Sequence, residues 1–411
     1  MQEAELLLDK GALSNNLTQL LTRSKLRKIF PVIKANAYGH GMVWVARQIE
    51  KSPALHNIPF FCVARFSEAS TLRRENIQHP ILILSFYESL AQLDSTFSLK
   101  NVEIVLSDAA DFAKIIDILK QRISANLDIF SGIHLNINTG MNRLGFSWES
   151  VSQKWPFLKT QLGELKKLGV SLTGLMTHFA SGEEPIEMFS HLQLSRFKTV
   201  FKYFQEHWDA ATLGSFPRWI HCENSGALLR GVGDDENWLT ACRPGIALWG
   251  AYPHKNFRGN MHLEPVMQIR APLRQMFWST TGTYVGYSSK FRCDRETLVG
   301  TLAIGYADGV PRSLSRTHVN EQADVGFYIE KIKVPVIGIV SMDLLSVDLT
   351  DHPLAPTWSE MILKNELPKI WAEWIGPQQS VDCIAQATGT ISYEIFCRVG
   401  SRLQRREAMP C

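Results

Sequence analysis

The 411-residue sequence has little net charge, few cysteines and no long apolar run. Lysine and arginine number 43 against 40 aspartate and glutamate residues, so the formal net charge is only +3. That small excess gives no basic footprint for nucleic acid, and we expect no nucleic-acid partner. The longest mostly apolar stretch, near 335–347, is interrupted by Asp343, whereas a membrane-spanning helix needs about 20 apolar residues. We therefore expect no membrane partner.

The seven cysteines and the N-terminus carry no sign of export. The cysteines are spaced irregularly, which is typical neither of a disulfide framework nor of a zinc site. The first residues, MQEAELLLDK, lack the basic start and the apolar segment of a secretory signal. These features predict a cytoplasmic protein without a bound metal.

The order of predicted elements indicates two domains. Eight short β-like runs alternate with helical stretches over about 250 residues, the size of a (β/α)8 barrel. A doubly wound sheet would alternate as well, but eight strands favour closure into a barrel. The runs are FPVIKA (30–35), FFCVA (60–64), PILIL (80–84), VEIVL (102–106), IHLNIN (133–138), LTGLMT (172–177), WIHCEN (219–224) and LTACRP (239–244). The helical stretches are 43–51, 66–75, 109–121, 162–168, 190–207 and 226–230.

The rhythm changes at about residue 259, where strand-like runs follow one another with turns between them. We expect little helix there before 379–387, and a loop over 352–367. The predicted fold class is α/β plus all-β, with an N-terminal barrel over 1–258 and a C-terminal β-domain over 259–411. The first few residues either belong to the barrel or pack with the second domain.

Polar residues gather at the ends of the barrel strands, where barrel enzymes keep their reactive groups. Lys34 ends the first strand, and burial there would lower the pKa of its amine and favour imine chemistry. Alternatively, the lysine simply marks a strand end. The following ANAYGHG segment favours a ligand site, because its glycines allow close approach of the backbone. The other polar residues near strand ends are Asn138, Arg143, His178, Asn224, Ser225 and Arg243.

The loops after strands seven and eight are candidates for a phosphate site. Gly245 and Ile246 would supply backbone N–H groups, and the Asn224–Ser225 pair would complete the phosphate site. The alternative is ordinary helix capping by Ser225.

Several other side chains allow two interpretations. Arg143 suits a fixed anion or phenolate partner, or is a surface arginine. His178 and Tyr306 are either structural residues or groups that transfer protons. Asp343 lies in a polar break of an apolar run, which is also what a plain turn would show.

Eight motifs in order complete this picture: PVIKANAYGHG, HLNINTGMNRLGF, GLMTHFASG, ENSGALL, RPGIALWG, LAIGYADGVPRSLS, GIVSMDLLSVDL and GTISYEI. Together they resemble the alanine racemases over nearly the whole chain. The resemblance implies a pyridoxal-phosphate enzyme with an N-terminal barrel and a C-terminal β-domain. It also implies a head-to-tail homodimer in which each active site is shared.

The resemblance also implies roles for individual residues. Lys34 would carry the cofactor and act as one racemisation base, and Tyr306 of the partner subunit would be the base on the opposite face. His178 would orient that tyrosine, Arg143 would contact the cofactor phenolic oxygen and the substrate, and Arg243 would face the pyridine nitrogen. The residues matching phosphate contacts are Tyr38, Asn224, Ser225, Gly245, Ile246 and Tyr393. Those matching the substrate pocket are Met342 and Asp343.

The chain departs from the common family pattern at four positions. Many members have a carbamylated lysine at the position of Asn136, so the amide or a bound anion such as chloride would have to brace Arg143 here. An aspartate is usual at the position of Asn138, and some members carry arginine at the position of Ile339 and tyrosine at that of Trp249.

The leading hypothesis is therefore an alanine racemase that interconverts L-alanine and D-alanine and supplies D-alanine for peptidoglycan. One alternative is an amino-acid racemase of broader specificity with the same fold. An alternative of a different class is a non-catalytic pyridoxal-phosphate-binding protein.

Overall fold

The computed structural model describes residues 3–85, 100–181, 188–254, 257, 261–318 and 324–408. These residues form a parallel sheet curled into a barrel, followed by a mainly antiparallel sheet. The predicted fold class is confirmed. Within the described ranges, no helix is long and apolar enough to cross a bilayer.

The barrel consists of eight parallel strands in the order β2-β10-β9-β8-β6-β5-β4-β3. A bridge between Val32 and Cys62 joins the two ends of this order, and the Ile33 amide donates to the Cys62 carbonyl at 2.9 Å. Seven of the eight predicted runs contain or overlap a strand. The first run, 30–35, begins directly after the strand Lys28–Ile29 and contributes only the bridge at Val32. The strands are β2 Lys28–Ile29, β3 Phe61–Val63, β4 Ile81–Ile83, β5 Val102–Leu106, β6 Gly132–Asn138, β8 Ser171–Met176, β9 Trp219–His221 and β10 Ala241–Cys242, with β7 Phe146–Ser147 paired to β6.

The barrel helices form where the sequence places apolar residues at helical spacing. In α5, Phe112, Ile115 and Leu119 are buried, and Asp108 caps the first turn by accepting from the Ala110 amide at 2.9 Å. All six predicted helical stretches are helical at least in part, whereas α1 and the first half of α6 were missed. The helices are α1 Lys10–Arg23, α3 Met42–Glu50, α4 Phe66–Arg74, α5 Ala109–Ser124, α6 Val151–Lys167, α7 Met188–His207, α8 Ala210–Leu213 and α9 Ser225–Arg230; Lys34–Tyr38 (α2) forms a short left-handed turn.

The C-terminal sheet has the strand order β16-β15-β19-β11-β14-β18-β17, and neighbouring strands are antiparallel. The N-terminal strand β1 belongs to this sheet, because Leu6 is opposite Ile269 in an antiparallel pair and Arg405 in a parallel pair. The strands are β1 Glu5–Leu8, β11 Met267–Ser279, β14 Thr297–Leu302, β15 Phe327–Ile329, β16 Ile332–Val334, β17 Val336–Ile337, β18 Leu345–Asp348, β19 Trp371–Ile375 and β20 Gln404–Glu407, with a separate pair β12 Tyr284–Val285 and β13 Phe291–Arg292.

Three helices accompany this sheet: α10 Ala355–Leu363, α11 Val381–Ala387 and α12 Ser392–Arg398. The expected loop over 352–367 is therefore wrong. Pro356 lies in the first turn of α10, where a missing N–H costs nothing, and Ala355 and Trp358 are buried. The expected domain boundary between residues 258 and 259 lies outside the described residues.

Candidate active site

A cavity of about 590 Å³ lies at the carboxyl ends of the barrel strands. The cavity is lined by polar residues and by apolar residues such as Val32 and Met176. The structure thus brings together most of the predicted site residues. Those that line the cavity are Lys34, Tyr38, Arg143, His178, Asn224, Ser225, Arg243, Gly245, Ile246 and Tyr393.

Lys34 enters the cavity from the end of the first barrel strand. The next four residues have left-handed backbone angles, with φ between 51° and 54° at 35–38. Burial lowers the pKa of the Lys34 amine, and the nearby Arg143 guanidinium lowers it further. A buried amine with a lowered pKa is neutral more often, and a neutral amine can attack an aldehyde.

The side chains of Asn224 and Ser225 form hydrogen bonds with different segments of the backbone. Asn224 Oδ1 accepts a hydrogen bond from the Ala227 amide at 3.0 Å and so caps α9. Ser225 Oγ accepts from the Gly245 amide at 2.9 Å and from the Ala247 amide at 3.3 Å. The alternative in which Ser225 caps the helix is therefore wrong, and Ser225 instead connects the loops after β9 and β10.

Gly245 makes room for a tyrosine. A Cβ atom at this position would lie 2.4 Å from the Tyr38 hydroxyl oxygen. The Tyr38 ring also lies beside Trp249 and Tyr393, with ring centroids 5.9 and 6.0 Å away. The Tyr38 hydroxyl, the Ser225 hydroxyl and the Gly245 backbone therefore share one end of the cavity.

Arg243 also lines the cavity and is almost fully buried. Its guanidinium donates to the Thr177 carbonyl at 2.7 Å and to the Cys222 carbonyl at 3.2 Å. It also donates to His221 Nδ1 at 2.5 Å and to His178 Nδ1 at 3.3 Å. Four acceptors from neighbouring strands hold this cation in one orientation.

A buried chain of side chains continues from Arg243 into the barrel. Arginine only donates, so His221 Nδ1 accepts and His221 carries its proton on Nε2. That nitrogen lies 2.7 Å from His134 Nδ1, and His134 Nε2 lies 2.8 Å from Glu103 Oε2. The direction of donation therefore runs from Arg243 through both histidines to a carboxylate.

This chain of side chains was not predicted from the sequence. One signal was available, because His134, Asn136 and Asn138 occupy alternate positions of β6 and so share one face of the strand. Since this strand belongs to a barrel, polar side chains that face the barrel interior need hydrogen-bond partners. The residues that provide them, Glu103 and His221, are on other strands.

Arg143 lies exposed in the loop after β6. Asn138 shapes this loop, because its Oδ1 accepts from the Gly140 and Asn142 amides, each at 3.0 Å. The structure records no hydrogen bond between Asn136 and Arg143. The Asn136 side-chain amide instead donates to Ser107 Oγ at 3.2 Å.

His178 stands between the two arginines of the site. Burial lowers the pKa of its imidazole well below the usual value, and the Arg243, Arg143 and Lys34 charges act in the same direction. The ring is therefore neutral. Because its Nδ1 accepts from Arg243, its Nε2 carries the proton and can donate to another group.

The other three predicted site residues, Tyr306, Met342 and Asp343, are not among those that line the cavity. They lie together on the C-terminal domain, where the Ala307 amide donates to the Met342 carbonyl at 3.1 Å. Tyr306 and Met342 are 43% and 51% exposed, and Asp343 pairs with Arg402 at 2.8 Å. Within one chain the structure therefore separates Tyr306 from Lys34.

The residues of the cavity fit pyridoxal phosphate. Lys34 provides an amine for the aldehyde, and the end formed by Tyr38, Ser225 and Gly245 provides donors and space where a Cβ would otherwise lie. Arg243 provides a fixed donor for a ring nitrogen. Among the described residues, no cluster of three or more histidine, cysteine or acidic side chains could hold a metal ion.

Comparison with known proteins agrees with this geometry. The family model described as "Alanine racemase, N-terminal domain" matches residues 8–253, and "Alanine racemase, C-terminal domain" matches residues 266–407. The alanine racemase of Geobacter sulfurreducens is 32% identical over 381 residues, which cover 92% of this chain and 89% of that protein.

Solved structures show the same fold. The alanine racemase from Bartonella henselae with covalently bound pyridoxal phosphate is 26% identical with a TM-score of 0.77, covering 99% of this chain and 100% of that one. The alanine racemase from Bacillus anthracis with bound L-Ala-P is 26% identical with a TM-score of 0.78, covering 100% and 96%. Two family models, a relative above 30% identity and the fold together place this chain in the alanine racemase family.

Proposed function

We propose that this protein is a pyridoxal-phosphate-dependent alanine racemase that interconverts L-alanine and D-alanine. The observation that carries the proposal is the single cavity lined by Lys34, by Arg243 and by the end formed by Tyr38, Ser225 and Gly245. The cofactor, when bound, withdraws electrons from an attached amino acid and so makes its α-proton acidic. The activity supplies D-alanine for peptidoglycan.

Lys34 and Tyr306 of the partner subunit are the two proposed bases. Racemisation requires proton removal on one face of the α-carbon and proton return on the other, so the two bases must lie on opposite faces. Lys34 has a lowered pKa, so its amine is in the proton-accepting form more often than an ordinary lysine. His178 donates from Nε2 to the phenolic oxygen of Tyr306 of the partner subunit and so orients that base.

The remaining cavity residues bind and orient. Arg243 would donate to the ring nitrogen of the cofactor, and because it stays charged it would not protonate that nitrogen fully. Arg143 would contact the phenolic oxygen of the cofactor and the substrate. The proposed phosphate contacts are Tyr38, Asn224, Ser225, Gly245, Ile246 and Tyr393, and the proposed substrate contacts from the partner subunit are Met342 and Asp343.

The dimer is part of the proposal because Tyr306 lies outside the cavity of its own chain. A second copy bound head to tail would bring Tyr306 of the partner subunit to this cavity. We further propose a division into a barrel over 1–258, which carries the cofactor, and a β-domain over 259–411. Pairing of β1 with β11 supports assigning the first residues to the second domain's sheet. A cytoplasmic location is supported by the described cysteines, none of which forms a disulfide.

The direct test is incubation of the purified protein with pyridoxal phosphate and L-alanine, with detection of D-alanine. Absence of D-alanine from protein that has bound the cofactor would refute the racemase. A panel of other amino acids, including serine and a basic one, separates an alanine enzyme from a racemase of broader specificity.

Two variants separate an enzyme from a cofactor carrier. Lys34→Ala should abolish the visible absorbance of the bound cofactor in either case. Tyr306→Phe should leave cofactor binding intact and abolish racemisation only in an enzyme, because a carrier needs no base on the opposite face.

A further inference from the structure

The backbone that follows Lys34 is strained. Ala35, Asn36, Ala37 and Tyr38 all have positive φ, and none of them is glycine. Left-handed backbone is unfavourable for every L-residue that has a Cβ. A run of four such residues therefore persists only if the surroundings hold it. Lys34 is the first residue of this turn, so whatever holds the turn also directs the lysine.

Glu68 holds the turn at its first peptide. Its Oε1 accepts a hydrogen bond from the Ala35 amide at 2.6 Å. Its Oε2 accepts from the Ala64 amide at 2.7 Å and from the Arg65 amide at 3.1 Å. One carboxylate therefore joins the backbone next to Lys34 to the start of α4, which follows the neighbouring barrel strand.

Helix α5 shows what a helix cap alone requires. Asp111 occupies the same position in α5 that Glu68 occupies in α4. A single oxygen of Asp111 accepts from the Ser107 amide at 3.1 Å and the Asp108 amide at 3.0 Å. These are the same two amides, four and three residues before the carboxylate, that Glu68 Oε2 binds. The additional methylene of Glu68 is therefore what lets its second oxygen reach Ala35.

The charge of Glu68 acts on the same lysine. Burial and Arg143 lower the pKa of the Lys34 amine, and the Glu68 carboxylate opposes them. The carboxylate thus has two connections to Lys34, one through a backbone hydrogen bond and one through its field. A carboxylate that served only as a helix cap would have neither.

We propose that Glu68 is a positioning residue, whose second carboxylate oxygen fixes the left-handed turn that directs Lys34 into the cavity. The inference rests on the proposed function, in which Lys34 binds the cofactor. It goes beyond that function by assigning a role to a side chain that is not among the residues lining the cavity.

Two kinds of variant separate positioning from capping. In Glu68→Asp the shorter side chain keeps both cap bonds, as Asp111 does, and loses the bond to Ala35. Glu68→Ala and Asp111→Ala each remove a cap, but only the first removes a contact with the lysine turn. Asp108→Ala, an exposed cap residue of α5, is a second control if Asp111→Ala folds poorly.

The readout is the rate at which apoenzyme binds added pyridoxal phosphate, followed by visible absorbance over a range of pH. We expect Glu68→Asp and Glu68→Ala to bind pyridoxal phosphate at least about tenfold more slowly than wild type, since misdirected groups react slowly. The control variants Asp111→Ala and Asp108→Ala should bind it at nearly the wild-type rate. The midpoint of the pH–rate profile should move to lower pH in Glu68→Ala alone. Glu68→Ala and Asp111→Ala should lower Tm similarly.

Wild-type rates in Glu68→Asp, or equal slowing in Glu68→Ala and Asp111→Ala, would overturn the positioning role. A wild-type apoenzyme that binds no pyridoxal phosphate would instead overturn the proposed function. The two failures are therefore distinguishable in one set of measurements.

Discussion

At the scale of single residues, the site depends on close contacts that one added or removed atom would disturb. Gly245 and Tyr38 approach so closely that the tyrosine hydroxyl occupies the space of a Cβ. Arg243 has four acceptors around a buried charge. Such contacts leave little freedom to relax, so conservative substitutions there should have measurable effects.

Gly245→Ala should weaken cofactor binding by about tenfold or more, because the new methyl group displaces the Tyr38 hydroxyl from a fixed position. The φ of this glycine is −124°, which is outside the left-handed region, so a positive φ would not explain the loss. The measurement is titration of apoenzyme with pyridoxal phosphate. In a Tyr38→Phe background the same substitution should cost less, since the hydroxyl is gone; an undiminished cost would contradict the steric explanation.

His40 should make stability depend on pH. Burial lowers the pKa of its imidazole to about 3, with a smaller contribution from Arg405 in the same direction. As pH falls below about 6.5, His40 binds a proton in the unfolded chain but stays neutral in the folded protein. The free energy of unfolding therefore decreases from about pH 6.5 towards pH 3, by about 1.4 kcal/mol per pH unit.

His40→Gln should therefore flatten the fall of unfolding free energy with pH by at most that amount. Urea unfolding at about pH 7, 6 and 5 measures the slope. An identical slope in wild type and variant would show that other groups carry this pH dependence.

At the scale of elements, each barrel strand delivers residues to the rim, and the connections after the strands complete the site. The turn Lys34–Tyr38 is the most unusual of these connections because its backbone is left-handed. Its counterpart is the loop after the neighbouring strand β10, which Ser225 holds through the Gly245 and Ala247 amides. Both connections keep the backbone close to the cavity.

Ala35→Gly should stabilise the fold by about 0.5–1 kcal/mol, since glycine relieves left-handed strain by more than it costs in unfolded-state entropy. Ala113→Gly is the matched control, because Ala113 is exposed in right-handed α5 and the same change there should destabilise by about 1 kcal/mol. Denaturant unfolding gives both values. Loss of stability in both variants would mean that the turn carries no strain.

At the scale of the whole molecule, the two sheets have separate tasks. The barrel provides most of the cavity lining, which Tyr393 of α12 completes, and the C-terminal domain presents Tyr306, Met342 and Asp343 on its surface. Exposed aromatic residues on that domain, among them Tyr284 and Tyr287 at 54% and 68% exposure, accompany Tyr306. In the proposed dimer, each complete site draws on both chains.

Mixed dimers test this arrangement. Lys34→Ala and Tyr306→Phe proteins should each be inactive, but a mixed dimer has one site with both defects and one with neither. Random exchange at equal concentrations should therefore restore about a quarter of the wild-type activity, since half of the dimers are mixed and each has one intact site. Unmixed homodimers are the control. Sites confined to one chain would give no recovery.

The sequence by itself determined the barrel, seven of its eight strands and the polar residues at their ends, because strand periodicity and strand-end chemistry are local properties. It placed the first strand at 30–35, directly after the observed Lys28–Ile29. It also indicated Lys34, Arg243 and Gly245 as members of one site. The sequence predicted a loop over 352–367, where helix α10 lies, because sequence alone does not distinguish a proline in the first turn of a helix from one in a loop.

Only the tertiary structure decided which distant residues meet. Glu103, His134 and His221 come from three strands, Glu68 reaches Ala35 from the next barrel unit, and β1 pairs with β11 about 260 residues later along the chain. Hydrogen bonds between such residues depend on barrel closure and on distances of a few ångströms. Local sequence patterns do not encode these distances, because they are set by the packing of the complete fold.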